Sequence, residues 1–381
     1  MKMKIALFHP WLKSRGGAER VVLEFLKHTK HDVDVYSWVY DKANTFKEFG
    51  KFKIKVIAPK IAQLFARSYI LRGLFFPISL FSKIPLRKYD LFLISTGGLA
   101  ELIALKNYKP GKTCAYVHTI LRAAYEEDVR WNLQYRYKDP FSKLAYLIAV
   151  HIYRFFERRA WKKIDVAIFN SELSLERAIK HNLVKEKKVY VVYPPVDVKK
   201  YEKAKIQKGD YFLYVARFGM AKRQDALLVA WKMFVKEHPN YGLVLAGSVE
   251  NKSYFEKIKK IAAETKNVEI KTNIEDKELL KLYSNCLAVV FVPFMEDFGI
   301  VPFEAMVLGK PLMAVDKGGY VNLVKKYYKN IVWIKEGEEL SLNIVKSLNK
   351  FLDKQLEAKK VKIPDLNAKR FVEKIENIIE K

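Results

Sequence analysis

Residues 289–315 read VVFVPFMEDFGIVPFEAMVLGKPLMAV, and this stretch decides the fold that the sequence predicts. It opens with a short run of β-branched apolar residues, which is typical of a buried strand in a parallel sheet. Pro302 stands where a helix can begin without losing a needed N–H group, and Gly309 stands where a helix can end. A second apolar run follows at residues 312–315. The stretch therefore predicts a strand, a loop, a helix and a strand, which together place a helix N-terminus at the carboxyl edge of a sheet, where anionic ligands bind.

Two glutamates, Glu296 and Glu304, frame the loop of this unit. The seven residues between them are too many for both acids to share one helical turn, so the chain must fold between them. If the loop amides point inward, the two carboxylates flank a cup of N–H donors. Such a cup suits a nucleotide-sugar, which has hydroxyls at both ends and a diphosphate in the middle. The alternative is that Glu296 is an ordinary loop acid and that Glu304 stabilises the helix dipole.

Residues 296–311, EDFGIVPFEAMVLGKP, resemble the E-x7-E signature of the retaining glycosyltransferases of family GT4. The resemblance implies the α/β fold class of GT-B type, with two doubly wound, Rossmann-like domains facing across a cleft. It implies an acceptor-binding domain over residues 1–197, completed by a C-terminal helix over 366–381, and a nucleotide-sugar-binding domain over 198–365. It makes Glu296 a catalytic residue and assigns these donor-binding residues: Asp297, Phe298, Gly299, Ile300, Val301 and Glu304.

Length and composition agree with two domains, because 381 residues exceed the usual size of one core and half of them are apolar. The two cysteines, Cys114 and Cys286, lie far apart and neither has a metal-ligand spacing, which favours a reducing cytoplasm. The first residues hold too short an apolar run for a signal peptide, and no run is long enough to span a membrane. We therefore expect a cytoplasmic protein.

The formal net charge is +28, from 70 basic and 42 acidic residues, which points to an anionic partner. Nucleic acid, an anionic membrane surface and an anionic substrate are the candidates. The basic residues are spread along the chain, and the sequence contains no zinc-knuckle, RRM or helix-turn-helix pattern. We therefore expect no nucleic-acid partner, and a basic nucleic-acid-binding protein is the alternative from a different class.

A glycine pair follows the first apolar strand, which is predicted at residues 4–9. Gly16 and Gly17 let the backbone approach a ligand without a Cβ in the way, although most such pairs are only turns. The phrase GGAER at this position resembles one that GT4 enzymes carry at the floor of their cleft. That resemblance implies that Gly16 and Gly17 lie near the donor phosphates and the acceptor.

A histidine, His118, ends the strand predicted at residues 112–118, where it either contacts a ligand or is an ordinary buried polar residue. The phrase YVHTILR resembles the Y-x-H-T-P-x-R phrase of GT4 mannosyl- and related transferases. The resemblance implies that His118 is catalytic and orients the sugar and the acceptor hydroxyl. Ile120 stands where the family has proline. Arg122 and Trp131 fall on the acceptor side by the same resemblance.

Two cations follow the strand predicted at residues 211–215. Arg217 and Lys222 stand at the entry of a helix, where they can clamp a diphosphate that leaves with negative charge. GT4 enzymes place an arginine and a lysine at this spacing, which implies that both residues are catalytic. Ala216 and Arg223 replace glycines of the family phrase.

The pair Asp32 and Asp34 matches the D-x-D that metal-dependent GT-A glycosyltransferases use. Here it stands at the start of a predicted strand and not on a loop after one. We interpret it as a solvated strand end. We accordingly expect no metal and no other cofactor, since the nucleotide-sugar is a substrate.

Two stretches are amphipathic, basic and aromatic. Residues 60–83 carry Phe75, Phe76 and Phe81 among lysines and arginines, a composition typical of helices that lie on anionic lipid, and we predict that this stretch attaches the protein to a membrane surface. In residues 138–163 the apolar positions extend too far round a helix for a surface element. We predict that this second stretch is a core helix with a basic outer face.

The resemblance implies a retaining hexosyltransferase that moves mannose from GDP-mannose onto a polyprenol-linked or other membrane-associated glycan. The phrases of the first domain are similar to those of mannosyltransferases that extend polyprenol-diphosphate-linked oligosaccharides. A GT4 enzyme that uses a UDP-sugar on a soluble acceptor is the alternative. A GT-B epimerase is disfavoured because it needs further acid–base carboxylates. No nucleophilic carboxylate is predicted, so the resemblance implies a front-face route in which the leaving phosphate takes the acceptor proton.

Overall fold

The computed structural model describes residues 2–58, 81–137, 139–185, 187–196, 201, 204–207, 209–354, 356 and 359–381. Of four of these, Glu126, Glu127, Trp131 and Tyr135, only the backbone is described. The chain divides into two compact units, Met1–Pro195 with Ala368–Lys381, and Val196–Asn367. Each unit has its own parallel sheet with helices around it, which confirms the predicted α/β class.

The first unit is built on a seven-stranded parallel sheet. Its central strands are almost wholly apolar because helices cover both faces. In sheet order the strands are Ile54–Val56, Asp32–Ser37, Lys4–Phe8, Leu91–Thr96, Thr113–Val117, Val166–Phe169 and Lys188–Val191. The α-helices with both ends in the described residues are Gly17–His28, Glu126–Trp131, Pro140–Trp161, Glu172–Lys180 and Ala368–Ile379. A small sheet of Trp11–Leu12 and Val39–Tyr40, which the sequence did not predict, lies beside them.

The second unit is built on a six-stranded parallel sheet. In sheet order the strands are Val268–Lys271, Gly242–Ala246, Tyr211–Val215, Ala288–Phe291, Leu312–Val315 and Ile331–Ile334. The α-helices are Gln224–Glu237, Lys252–Ala263, Asp276–Asn285, Val301–Leu308, Val321–Tyr327 and Leu340–Lys354. Three of these strands, Tyr211–Val215, Ala288–Phe291 and Leu312–Val315, were predicted from the sequence.

Residues 289–315 fold as predicted, as a strand, a loop, a helix and a strand. The strand Ala288–Phe291 is buried at every residue, and the helix Val301–Leu308 follows it with Pro302 in its first turn. Gly309 ends this helix in the left-handed conformation, with φ of +77°. A methyl group at Gly309 would come within 2.6 Å of the Lys360 nitrogen. Glycine is therefore needed there for its backbone conformation and for the close approach of another segment.

The prediction that residues 138–163 form a core helix is wrong. A helix does form, Pro140–Trp161, and the Asp139 side chain caps it by accepting a hydrogen bond from the Ser142 N–H. Its apolar residues lie on two faces, and only one of these faces packs against the unit. The other face is exposed, with Phe141 at 85% of its full accessibility. Apolar content alone did not reveal that the buried face is narrow.

Most of the predicted membrane segment, 60–83, lies outside the described residues, which resume at Phe81. Phe81 is 77% exposed. Among the helices that the structure describes, none combines the length and the apolar content that crossing a bilayer requires.

The C-terminal helix Ala368–Ile379 belongs to the first unit. Phe371 packs edge-on against Tyr116 of the central sheet, with ring centroids 5.6 Å apart. Glu376 accepts hydrogen bonds from the Thr29 hydroxyl at 2.8 Å and from the Lys30 N–H at 2.9 Å. The last residues of the chain therefore complete the core of the first unit.

Candidate active site

In the second unit, the candidate site lies where the strand order reverses. The strands Tyr211–Val215 and Ala288–Phe291 are neighbours, and the connections after them leave in opposite directions. The carboxyl edge at such a switch point is where open α/β sheets bind ligands. Lys222 follows the first strand and Glu296 follows the second, and their side chains form an ion pair. The structure thus brings together two of the four predicted catalytic residues.

The turn that carries Lys222 is held by contacts of its neighbours. The Tyr214 hydroxyl donates to the Lys222 carbonyl oxygen, and the next residue, Arg223, has a left-handed backbone with φ of +56°. Arg223 donates two hydrogen bonds to Glu336, at 2.9 and 2.8 Å, and lies over the Phe294 ring. A left-handed residue explains why glycine is common at this position of the family phrase. Here the bidentate ion pair compensates for the strained arginine.

Arg217 does not join the pair formed by Lys222 and Glu296. Its side chain is 61% exposed and forms an ion pair with Glu250, at 3.2 Å. The Gln224 amide donates to the Arg217 carbonyl oxygen at 2.9 Å and fixes the backbone, while the guanidinium lies near solvent. Arg217 is thus placed at the same sheet edge with a long and exposed side chain.

Glu304 is held by two tyrosines that the sequence analysis did not single out. The Tyr201 hydroxyl donates to one carboxylate oxygen at 2.5 Å, and the Tyr283 hydroxyl donates to the other at 2.6 Å. Burial raises the pKa of Tyr283, so its hydroxyl stays protonated and keeps donating. These bonds orient the carboxylate in the first turn of the helix Val301–Leu308. No sequence pattern links Glu304 to Tyr201, which lies 103 residues away.

The loop between the two glutamates is partly core. Phe298 is buried and stacks on Phe303, with ring centroids 4.9 Å apart, so only its backbone can face a ligand. Gly299 is left-handed, with φ of +78°, and a methyl group there would press on the Phe291 and Tyr320 rings. Asp297 and Ile300 are half-buried, and Val301 begins the helix. The Gly319 N–H donates to the Glu296 carbonyl oxygen at 2.8 Å and supports the loop from outside.

In the first unit, a chain of three polar side chains also lies at a switch point. His9 follows the strand Lys4–Phe8, Ser95 lies in the neighbouring strand Leu91–Thr96, and His118 follows Thr113–Val117. The Ser95 Oγ is 3.0 Å from the His9 Nδ1 and 2.9 Å from the His118 Nε2. Because the hydroxyl has a single proton, at least one of the two imidazoles donates to Ser95.

His9 and His118, the two histidines bonded to Ser95, are neutral at physiological pH. Burial lowers the pKa of His118 to about 3 and that of His9 to about 4. The His118 Nδ1 forms no hydrogen bond within the described part of the chain, and the residue is half-buried. His118 therefore offers an uncharged imidazole nitrogen to a ligand. Ser95 and His9 were not predicted, since only their pairing in space gives them a role.

Two buried acids, Glu101 and Glu157, support the loop that follows the strand Leu91–Thr96. Glu101 accepts from the Thr96 hydroxyl at 2.5 Å and from Tyr153 at 2.6 Å, and Tyr153 also lies 3.0 Å from Glu157. Burial raises the pKa of Glu157 to about 8, and the charge of Glu101 adds to this shift. Glu157 is therefore largely protonated near pH 7.

The glycine pair lies at the start of the helix Gly17–His28. Gly16 has an extended backbone, and a methyl group there would come within 2.4 Å of a Glu19 carboxylate oxygen. Glu19 is buried and accepts a hydrogen bond from the Ser14 hydroxyl at 2.6 Å. A side chain at residue 16 would therefore displace the carboxylate of Glu19, an acid of the same helix. That acid lies beside the amides that were predicted to meet phosphate.

The predicted acceptor-side residues lie beyond His118. Arg122 donates two hydrogen bonds to Asp128, at 2.9 and 3.2 Å, so its guanidinium is fixed by an ion pair. Trp131 ends the helix Glu126–Trp131, and its side chain is outside what the structure describes.

The acids of the D-x-D sequence are engaged in strand-end contacts. Asp32 is exposed and pairs with Lys2, whereas Asp34 accepts from Lys55 at 2.8 Å and from Tyr89 at 2.6 Å. In the portions of the chain that are described, no three histidine, cysteine or acidic side chains are grouped as metal ligands would be.

Comparison with known sequences identifies relatives along most of the chain. The family model described as Glycosyltransferase Family 4 matches residues 15–200, and the model described as Glycosyl transferases group 1 matches residues 197–380. The chain is 26% identical to the alpha-1,3/1,6-mannosyltransferase ALG2 of Kluyveromyces lactis, covering 85% of this chain and 71% of that protein. It is 24% identical to the human GDP-Man:Man(3)GlcNAc(2)-PP-Dol alpha-1,2-mannosyltransferase, covering 84% and 73%.

Solved structures match the fold of the whole chain. Anabaena Alr3699/HepE, in complex with UDP-glucose, has a TM-score of 0.62 at 19% identity and covers 99% of this chain and 98% of its own. WaaG, a glycosyltransferase involved in lipopolysaccharide biosynthesis, has a TM-score of 0.63 at 15% identity, with coverage of 99% and 95%. The two family models together extend from residue 15 to residue 380. With its two parallel-sheet units and these matches, the chain belongs to the GT-B glycosyltransferases of family 4.

Proposed function

We propose that this enzyme transfers mannose from GDP-mannose, with retention, onto a polyprenol-linked glycan at the cytoplasmic face of a membrane. The observation that carries the donor site is the Lys222–Glu296 ion pair at the switch point of the second sheet. The sugar and the acceptor are supported by relatives whose names specify mannosyl transfer and, in one case, a dolichol-linked glycan. The attachment predicted for residues 60–83 is part of this proposal.

The second unit supplies the electrostatics of the leaving group. Lys222 and the exposed Arg217 neutralise the nucleotide diphosphate, and the N-terminal amides of the helix Val301–Leu308 add donors. Glu296, released from Lys222 when the diphosphate binds, accepts hydrogen bonds from sugar hydroxyls. Glu304, already oriented by two tyrosines, accepts from the ribose hydroxyls. Asp297, Gly299, Ile300 and Val301 shape this loop.

The first unit supplies a neutral contact. The imidazole of His118, oriented through Ser95, hydrogen-bonds a sugar or acceptor hydroxyl without bringing a charge. In the front-face route the sugar–phosphate C–O bond breaks and the new glycosidic C–O bond forms on the same face. The acceptor hydroxyl proton passes to the leaving phosphate oxygen. This route needs no nucleophilic carboxylate, and we propose that it proceeds without a metal.

Thermal unfolding with a panel of nucleotide-sugars tests the donor. A ligand at 100 times its Kd stabilises the folded state by about 2.7 kcal/mol, so GDP-mannose should raise Tm and the transfer assay should then consume it. Stabilisation by UDP-sugars alone would favour the soluble-acceptor alternative. A UDP-sugar is considered because the fold neighbour HepE was solved with UDP-glucose. Loss of transfer on chelation, restored by magnesium or manganese, would contradict the metal-free route.

Stabilisation by RNA that falls steeply with salt, with none by any nucleotide-sugar, would indicate the nucleic-acid-binding alternative. Donor turnover should depend far less on salt, because most of its contacts lie in one small site.

A further inference from the structure

The Pro140–Trp161 helix has a second apolar face that nothing in the described chain covers. Its inner face packs on the first unit through Val150, Tyr153, Glu157, Ala160 and Trp161. Its outer face consists of these exposed side chains: Phe141, Leu144, Leu147, Ile148, Ile152 and Phe155. At 100° per residue the outer residues fall within an arc of roughly 140° on the side opposite the inner ones. We call this set the outer face.

The outer face is bordered by positive charge and has no acid. The sole carboxylate between residues 140 and 161 is Glu157, which is buried on the inner side. Lys143, Arg158 and Lys162 form no ion pair with any residue that the structure describes. The Arg159 guanidinium lies over the Phe155 ring, 3.4 Å from its centroid, and extends the apolar surface with a charged end.

We propose that the outer face binds the surface of an anionic lipid bilayer, with the helix lying parallel to it. Apolar side chains on one side and cations along the border are the features of helices that rest at the boundary between headgroups and acyl chains. At about 1.5 Å per residue, 22 residues provide a contact roughly 33 Å long. The cations beside the apolar residues, which pair with no acid among the described residues, complement anionic headgroups.

The same charges argue against a second copy of this chain as the occupant. A two-fold interface would bring the outer face of one copy against that of the other, which places like charges near each other without a compensating acid. An anionic surface instead gains from every one of these cations.

This inference rests on the proposed function for its purpose, because a lipid-linked acceptor requires the enzyme to meet a membrane. Lipid binding can nevertheless be tested independently of the transfer reaction, since it is measured without donor or acceptor. It also differs from the prediction for residues 60–83, because it concerns a helix whose side chains the structure describes.

Vesicle flotation with the full chain tests the proposal. Two lipid mixtures are compared, phosphatidylcholine alone and phosphatidylcholine with phosphatidylglycerol, at low and high salt. The apolar variant carries Phe141→Ser, Leu144→Ser and Ile148→Ser, and its matched control carries Ile179→Ser, Val229→Ser and Leu342→Ser, which are exposed apolar residues on other helices. The charge variant carries Lys143→Gln, Arg158→Gln and Lys162→Gln, and its control carries Lys232→Gln, Lys236→Gln and Lys260→Gln.

The parent should float with the anionic vesicles. Each cation near an anionic surface contributes about fivefold to binding, so the charge variant should bind on the order of 100-fold more weakly at low salt. High salt should reduce this difference, because the contribution is screened. The apolar variant should lose at least about tenfold at either salt concentration, because its contribution comes from burial of apolar surface. Both controls should bind like the parent.

Three results would overturn the proposal. One is equal vesicle binding by the parent and the apolar variant. Another is a lower Tm for the apolar variant than for its control, or a change from dimer to monomer in light scattering, since either would show that protein covers the outer face. The last is binding of a single-stranded RNA that the apolar variant loses while vesicle binding persists. Donor hydrolysis, measured in parallel, reports on the proposed function alone.

Discussion

In the second unit Lys222 and Glu296 form an ion pair with part of each side chain open to water, whereas in the first unit His9, Ser95 and the half-buried His118 form a hydrogen-bonded group without charge. Both groups lie where the strand order of a parallel sheet reverses. The same topological position therefore supports two kinds of chemistry. An accessible charge pair can open for a charged ligand, while a buried neutral chain holds one imidazole in place.

The difference predicts how each group fails when it is altered. A charge pair acts on the ligand by electrostatics, so its loss should appear in the rate of transfer more than in stability. A buried hydrogen-bonded chain is part of the core, so its loss should appear in both.

The largest effect is expected at the charge pair. Lys222→Ala and Glu296→Ala should each lower kcat by about 100- to 1,000-fold, the equivalent of 2.7–4 kcal/mol, because the departing diphosphate loses its cation and the sugar loses its acceptor. Lys257→Ala, at an exposed ion pair in the same unit, is the control. Near-normal turnover in either single variant would remove these residues from the site.

The next effect is expected in the buried chain. Ser95→Ala leaves two imidazole nitrogens without their partner, which should cost about 1–3 kcal/mol of unfolding free energy. Because His118 also loses its orientation, kcat should fall while the KM for donor stays near the parent value. Urea unfolding and steady-state kinetics measure the two quantities, with Ser253→Ala on an exposed helix as the control. Lost stability with unchanged kcat would make the chain purely structural.

A third effect is the opposite pH dependence of the stability that Glu157 and the two histidines contribute. Glu157 has a raised pKa of about 8, so the folded state keeps a proton that the unfolded state releases, and stability is lost as pH rises from about 4.5 to 8. His118 and His9 have lowered pKa values, so their contribution is lost as pH falls below about 6.5.

Glu157→Gln tests this difference, because glutamine cannot ionise. Its stability relative to the parent should improve between pH 5 and pH 8, by about 1.4 kcal/mol for each pH unit over which the two states differ by one proton. Urea unfolding at both pH values measures it. An offset that is the same at pH 5 and pH 8 would show that Glu157 does not titrate in this range.

The smallest effect is expected at the exposed pair of Arg217 and Glu250. Glu250→Gln should change the free energy of unfolding by no more than about 0.5 kcal/mol, since water screens a pair in which the arginine is 61% exposed. The same substitution should leave Arg217 free for the diphosphate and keep transfer near the parent rate. A large loss of stability would show that this pair is less open to water than the structure has it.

The sequence predicted well where the signal is local. Pro302 and Gly309 mark the ends of one helix by their own backbone chemistry, and the strand before it is recognisable from its apolar run. It could not predict that Ser95 joins His9 to His118 or that two tyrosines orient Glu304, because those contacts join residues far apart in the chain.

The sequence also did not show which face of a helix is buried. The Pro140–Trp161 helix has apolar residues on both sides, and composition does not show which side the sheet covers. The prediction of a core helix failed for that reason, while the existence of the helix and its basic character were correct.

The packing of the helix Ala368–Ile379 on the first unit has a consequence for synthesis of the chain. Phe371 and Ile375 fill the same core as residues of the first strand, which leave the ribosome hundreds of residues earlier. The first unit therefore cannot close its core until residues 368–379 have been synthesised, whereas all strands of the second unit precede them in the chain. The N-terminal half must wait with apolar surface uncovered while the later half folds, which makes it the part of the nascent chain that is most exposed to aggregation and to chaperones.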